Sequence, residues 1–324
     1  MLEATPPSAA RRRQQGQGEI LKYAVRTADG RRLSTQVYGD PEGRPVFLLH
    51  GTPGSRLGPH PRSAVLHRMG VQLIAFDRPG YGESDRLEGR RVADVAADVL
   101  AIADAHDLEH FSVVGRSGGG PHALACAALL PERITRVAVL VGIAPHGADG
   151  LDWFDGMAQS NVAEFTAAAN SYADIVAHTR EVASAVRADP ASLIARLHAE
   201  LPDSDRRVVA DHGIRSMLIK SYAEALRTSD YGWIDDALAF CSPWGFDPAS
   251  IPVPVLLWHG ASDVFSPASH ARWLADKIPN AAVVVQAGAA HFGALDVLPD
   301  ILRWLCIGQP LDRELVKHKR SAVG

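Results

Sequence analysis

The sequence predicts an α/β fold: a mostly parallel central sheet with helices on both faces and an inserted helical cap. Three observations predict it. Short apolar runs, each too short for a helix and each leading into a Gly- or Pro-rich turn, alternate with segments of helical period. A serine flanked by glycines, Gly115-Arg116-Ser117-Gly118-Gly119, stands directly after one of those runs. Between Pro145 and about Trp244 the strand signal disappears and helical segments replace it.

The elements follow in order. From Ile20 to Tyr38 two stretches of alternating apolar and polar residues flank Ala28-Asp29-Gly30, the pattern of an antiparallel hairpin. Pro45 to Leu49 and Val71 to Phe76 read as buried strands. Val92, Val95, Val99 and Ile102 recur at helical spacing within Arg90 to His106. Phe111 to Val114 is the strand before the serine, and Pro121 to Leu130 is the helical run after it. Val137 to Val141, Val253 to Trp258 and Ala282 to Val285 are further strands, the last two each followed by a turn and a helix. Within the helical stretch, Asp189-Pro190 and Pro202-Asp203 mark breaks where Asp caps and Pro starts a helix. The expected organisation is a disordered tail at 1–18, a core formed by 19–146 and 248–310, a helical cap at 147–247 and a C-terminal tail at 311–324.

At 324 residues and 47% hydrophobic content, the chain is long and apolar enough to bury a large interior. A formal charge of -4 with signs interspersed offers no field suited to nucleic acid or to an anionic membrane, so the expected partner is a small molecule, with the oligomeric state open. The three cysteines, Cys126, Cys241 and Cys306, are far apart and in mostly apolar surroundings. They read as buried thiols, with neither a disulfide, a metal nor a cofactor expected. No apolar stretch follows Arg11-Arg12-Arg13, and no run of about 18 apolar residues occurs, so the expected location is cytoplasmic.

The chemistry starts at Ser117. A strand-to-helix corner this sharp leaves the serine side chain projecting free and requires tiny residues two before and two after it, which makes Ser117 a candidate nucleophile. A hydroxyl attacks poorly at neutral pH unless an imidazole takes its proton and a carboxylate orients that imidazole. His291, in the loop after the last strand, is the expected base, and Asp263, just past the preceding strand, its orienting acid. Asp149 and Asp296 are weaker rivals for that role and read as solvated surface carboxylates. Both loops are expected at the same sheet edge as Ser117. Negative charge on the attacked carbonyl needs rigid backbone donors, assigned to the N–H groups of Thr52, in the turn His50-Gly51-Thr52-Pro53-Gly54-Ser55, and of Gly118. His50 is expected to orient that turn rather than to act as a base. Asp77 to Ser84 lacks the lysine-serine ending of a phosphate loop and reads as a structural turn. Arg116 is read first as a salt-bridged scaffold residue and second as a contact for a substrate anion. Trp153, Phe154, Met157, Phe165, Tyr172, Tyr222 and Trp233 are the cap residues from which a minority is expected to line a pocket.

Taken together, the His50 to Ser55 turn, the Asp77 to Ser84 turn, the Ser117 corner, Asp263 and His291 resemble the α/β-hydrolase superfamily. The resemblance spans most of the chain apart from the tails and the detail of the cap. It implies a serine hydrolase acting on a small-molecule ester through an acyl-serine. The epoxide-hydrolase and haloalkane-dehalogenase branches carry an aspartate where this chain has Ser117. Proline iminopeptidases carry H-G-G-P-G where Thr52 interrupts the pattern here. A peptidase of that kind, a carbon-carbon bond hydrolase, and a non-enzymatic ligand receptor on the same fold are the alternatives.

Overall fold

The computed structural model describes residues 21–308; the tails expected at 1–18 and 311–324 lie outside the described residues. One eight-stranded sheet runs through it, made of β1 (Leu21–Arg26), β2 (Arg32–Gly39), β3 (Arg44–Leu49), β4 (Val71–Phe76), β5 (Phe111–Arg116), β6 (Ile134–Leu140), β7 (Val255–Gly260) and β8 (Ala281–Gln286). Their spatial order is β1-β2-β4-β3-β5-β6-β7-β8. The hairpin β1-β2 is antiparallel and joins β4 antiparallel, and every pair from β4 through β8 is parallel.

Alternation along the strands explains why both faces are covered. In β3, Val46 and Leu48 point into one apolar cluster while Phe47 and Leu49 point into another; in β4, Leu73 and Ala75 divide from Ile74 and Phe76 in the same way. The first face packs against α1 (Ser63–Arg68) through Leu66 and against α11 (Ala294–Ile307) through Leu298, Ile301, Leu302 and Leu305. The other face takes α2 (Val95–Ala105), α3 (Gly119–Leu129) and α10 (Ala268–Lys277), whose Val99, Ile102, Leu124 and Leu274 are buried there. The helical pattern of Arg90 to His106 begins as a 3-10 turn at Val92–Asp94 and becomes α-helical only from Val95.

Six helices separate β6 from β7: α4 (Gln159–Asn170), α5 (Tyr172–Ala188), α6 (Ser192–Leu197), α7 (Asp203–Ala210), α8 (His212–Ala225) and α9 (Tyr231–Cys241). They build an apolar cluster of their own around Val182, Leu193, Val209, Leu218 and Trp233. Tyr81, Phe265 and Phe292, from loops of the sheet, complete that cluster and seat the helices on the sheet edge. The breaks at Asp189 and Pro202 have local causes. Asp189 Oδ1 accepts the Ala191 N–H at 2.9 Å between α5 and α6, and Pro202 is the residue before α7.

The parallel strands β3, β5, β7 and β8 all run the same way, so the loops at their carboxyl ends share one edge. From β3 the chain crosses to β4 on one side, while β5 lies on the other. The order reverses at that point, where ligands of open α/β sheets gather.

Candidate active site

Ser117 sits at the corner between β5 and α3 with φ +53°, in the left-handed region that a residue with a side chain seldom occupies. The corner closes only because its neighbours lack side chains. A Cβ on Gly115 would meet the Gly119 carbonyl oxygen at 2.1 Å, and one on Gly119 would meet the Leu49 carbonyl oxygen at 2.2 Å. Both contacts are backbone atoms that cannot step aside. The Ser117 N–H is held by the Leu140 carbonyl at 2.8 Å. Among the described residues no hydrogen bond ties down the Ser117 hydroxyl.

Asp263 and His291 come together across 28 positions of chain. His291 Nδ1 lies 2.9 Å from Asp263 Oδ2 and 3.1 Å from Oδ1. Since an ionised carboxylate can only accept, Nδ1 carries the proton and Nε2 is left with its lone pair. Asp263 is fully buried, and Oδ1 accepts the N–H groups of Phe265 at 2.9 Å and Ser266 at 3.1 Å. Burial pushes its pKa up, but His291 and His259 beside it outweigh that and hold the carboxyl well below the ordinary range. The His291 ring keeps 13% exposure. Neither Asp149 nor Asp296 is bonded to His291; Asp296 is exposed.

Ser117 and His291 line the same cavity, of about 860 Å³ with its open mouth included. Gly51 and Thr52 line it too, and a Cβ on Gly51 would stand 3.9 Å from Ser117 Oγ. Thr52 is packed against Gly118 so closely that a Cβ on Gly118 would meet Thr52 Oγ1 at 2.2 Å. Thr52 and Gly118 are thus neighbours, and among the described residues neither backbone N–H donates to a protein acceptor.

Residues that sequence reasoning missed hold these loops. Asp236, on α9, is fully buried and accepts from Thr52 Oγ1 at 2.6 Å, Tyr81 Oη at 2.8 Å and Arg90 at 2.7 Å, and it is also bonded to Arg78. Against the pull of burial, Arg78 and Arg90 hold it well below the ordinary carboxylate range. Asp205, on α7, accepts the His291 and Phe292 backbone N–H groups at 3.0 and 2.8 Å. Ser266 donates its hydroxyl to the Val141 carbonyl at 2.7 Å and stands 3.4 Å from His291 Nδ1. No sequence signal marks these acids, since their partners are 184 and 86 residues away.

His50 lies apart from this chemistry. Its Nδ1 donates to the Gly51 carbonyl at 2.8 Å and its Nε2 accepts the Arg78 N–H at 3.1 Å, so it orients the turn. Asp77 accepts the Arg56 N–H at 2.7 Å and is ion-paired with the Arg56 side chain, and Ser84 Oγ donates to the Asp77 carbonyl at 2.6 Å, which makes that segment a structural turn. Of the seven aromatic and Met candidates, Tyr222 and Trp233 line the cavity. Trp153, Phe154, Met157 and Phe165 instead pack with the sheet's own core, and Tyr172 is exposed. Their apolar character is spent on seating the start of the helical segment. Arg116 lines the cavity, and the scaffold salt bridge expected for it is not formed: among the described residues no carboxylate pairs with it. The three cysteines are free thiols. Among the described residues no group of three His, Cys, Asp or Glu side chains is placed to hold a metal, and no helix is long and apolar enough to cross a membrane.

Known proteins share this architecture. The chain is 27% identical over 285 residues to a non-heme chloroperoxidase of Streptomyces lividans, covering 86% of this chain and 95% of that protein. It is 28% identical over 276 residues to the dihydrolipoyllysine-residue acetyltransferase component of the acetoin cleaving system of Pseudomonas putida, covering 84% of this chain and 65% of that longer protein. Among solved structures, a thermophilic esterase from Thermogutta terrifontis superposes with a TM-score of 0.62 at 22% identity, over 88% of this chain and 98% of that one. Residues 44–296 match the family described as the alpha/beta hydrolase fold, and with that match over most of its length the chain belongs to the α/β-hydrolase family.

Proposed function

We propose that the protein is a serine hydrolase that cleaves small-molecule esters through an acyl-serine on Ser117. The observation that carries this reading is the buried Asp263 carboxylate on Nδ1 of His291, which leaves Nε2 as a base at a cavity shared with the left-handed Ser117. His291 takes the Ser117 proton as the hydroxyl attacks the ester carbonyl, and Asp263 stabilises the imidazolium that forms. The oxyanion is received by the N–H groups of Thr52 and Gly118, with Gly118 at the positive end of α3. His291 returns the proton to the leaving alcohol, and a water activated by the same imidazole releases the acid.

The helices between β6 and β7 serve as the cap of this site. Supporting that role, Glu164 of α4, Val182 of α5, Leu193 of α6, Tyr222 of α8 and Trp233 of α9 all line the cavity. A wall that sets apolar side chains such as Val182, Leu193 and Phe292 beside polar ones such as Asn161 and Glu164 suits a small organic substrate with a polar group.

The test is reaction of the folded protein with a neutral 4-nitrophenyl phosphonate, alongside turnover of short 4-nitrophenyl esters. Stoichiometric loss of activity with one adduct on Ser117, and loss of turnover by about 10⁴-fold or more in Ser117→Ala, is expected. Ester turnover that survives Ser117→Ala undiminished overturns the reading.

A further inference from the structure

Three arginines are buried in or beside this site, and all three are neutralised. Arg56 is paired with Asp77 and Glu224, and Arg78 and Arg90 with Asp236. Arg116 differs. Among the described residues its guanidinium has neither an ion pair nor a hydrogen bond, and it lines the cavity one position before Ser117. Burial lowers its proton affinity, opposed only by the nearby Tyr222, yet a guanidinium remains cationic at neutral pH. A half-buried guanidinium on a cavity wall with no carboxylate beside it is open to an anion that a ligand brings.

The rest of the wall points the same way. Arg196 and His178 also line the cavity, and the carboxyl among its lining residues is that of Glu164. Burial pushes Glu164 up to about 7, partly countered by the hydrogen bond from Trp233 Nε1 at 2.9 Å, so much of its charge is suppressed at neutral pH. Val182, Leu193, Leu197 and Phe292 supply hydrocarbon contacts. Arg196 is exposed, so Arg116, beside Ser117 and half-buried, is the guanidinium of this wall placed to meet a single negative charge on a short chain. Its planar fork matches the two oxygens of a carboxylate.

We infer that Arg116 is a specificity-determining residue that binds a carboxylate on the substrate, so that the preferred substrates are hemiesters of short dicarboxylic acids. This rests on the hydrolase reading of the same site for the ester bond, and on Arg116 alone for the anion. Arg116 and Ser117 line one cavity, which places an anion on the guanidinium in the same small space as the carbonyl that Ser117 attacks. Tyr222, on the same wall, offers a phenol donor to the second carboxylate oxygen.

The experiment compares mono-4-nitrophenyl glutarate with 4-nitrophenyl pentanoate in wild type, Arg116→Gln and Arg116→Lys. Wild type is expected to prefer the anionic ester in kcat/KM by about 10-fold or more, the range of one charge-assisted contact. Arg116→Gln lowers that ratio by about 10- to 100-fold, mostly through KM, and Arg116→Lys, which keeps the charge, restores part of it. An unchanged ratio overturns the proposal. Calorimetric binding of glutarate to Ser117→Ala and to Ser117→Ala/Arg116→Gln separates the two readings, because it needs no turnover. Glutarate binding that depends on Arg116 in a protein that hydrolyses neither ester upholds the anion site and removes the hydrolase reading. Ester turnover without anion preference, in a protein that does not bind glutarate, removes the anion site and leaves the hydrolase reading standing.

Discussion

Asp205 accepts the backbone N–H of His291 at 3.0 Å, so a carboxylate on α7 holds the loop that presents the imidazole. It is fully buried and receives the N–H of Phe292 as well. Burial raises its pKa and the His291 charge opposes the rise. The helices between β6 and β7 are thereby bonded to the proposed base itself, not merely laid over it.

Asp205→Ala strands two N–H groups and frees the loop. We expect a stability loss of about 2 to 3 kcal/mol. The phosphonate inactivation rate should fall by about tenfold or more, because a shift of the reacting geometry costs rate steeply. Chemical denaturation and inactivation kinetics measured side by side check this, and a wild-type inactivation rate contradicts it. Asp205→Glu, which keeps the acceptor, should lose less.

Asp236→Ala is expected to be more damaging. Removing the acid leaves Arg78 and Arg90 buried without a counter-charge, at a cost of about 3 to 5 kcal/mol, and releases the Thr52 side chain from α9. Thermal unfolding reads the effect directly. A melting temperature within a degree or two of wild type shows that the cluster is not the brace described here.

Glu164 makes stability depend on pH in the opposite sense to a paired carboxylate. Unfolded, it ionises around the ordinary 4.5; folded, burial keeps it protonated to about 7. Below 4.5 both states hold the proton and nothing is lost. As pH rises from 4.5 to 7 the unfolded chain gives up its proton first, so the fold is destabilised, by on the order of 2 kcal/mol once water in the cavity is allowed for. Glu164→Gln should therefore be more stable than wild type at pH 8, with the advantage gone at pH 4. Melting curves of both proteins at the two pH values check this; equal differences at both contradict it.

The acid side of the rate profile should carry one protonation. Protonated His291 cannot accept the Ser117 proton, while Asp263 stays ionised far into acid and adds no second step. Plotted as log kcat/KM for a neutral ester against pH, the acid limb should have unit slope. A slope of two, or a flat profile down to about pH 5, contradicts the assignment.

Much of the fold was legible because its physics is local. Runs such as Val46 to Leu49 and Leu73 to Phe76 are apolar on both faces, which only a sheet covered by helices on both sides explains. The Ser117 corner was legible because Gly115 and Gly119 stand where any side chain strikes backbone. What stayed hidden depends on tertiary approach. Asp205 and Asp236 look like ordinary surface acids of amphipathic helices until α7 and α9 bring them to loops of the sheet. Trp153 and Phe165 have the composition of a pocket wall, yet they pack with the core, and no spacing rule separates those two fates. That Arg116 has no carboxylate partner among the described residues becomes visible only in the folded arrangement.

The central claim is that Ser117 carries the acyl group during turnover. Acid quenching of the enzyme while it hydrolyses a slow 4-nitrophenyl ester, followed by mass spectrometry of its peptides, tests this most directly. The account predicts acyl mass on the peptide containing Ser117 and its loss in Ser117→Ala; steady turnover with Ser117 unmodified and the acyl group on another residue contradicts it.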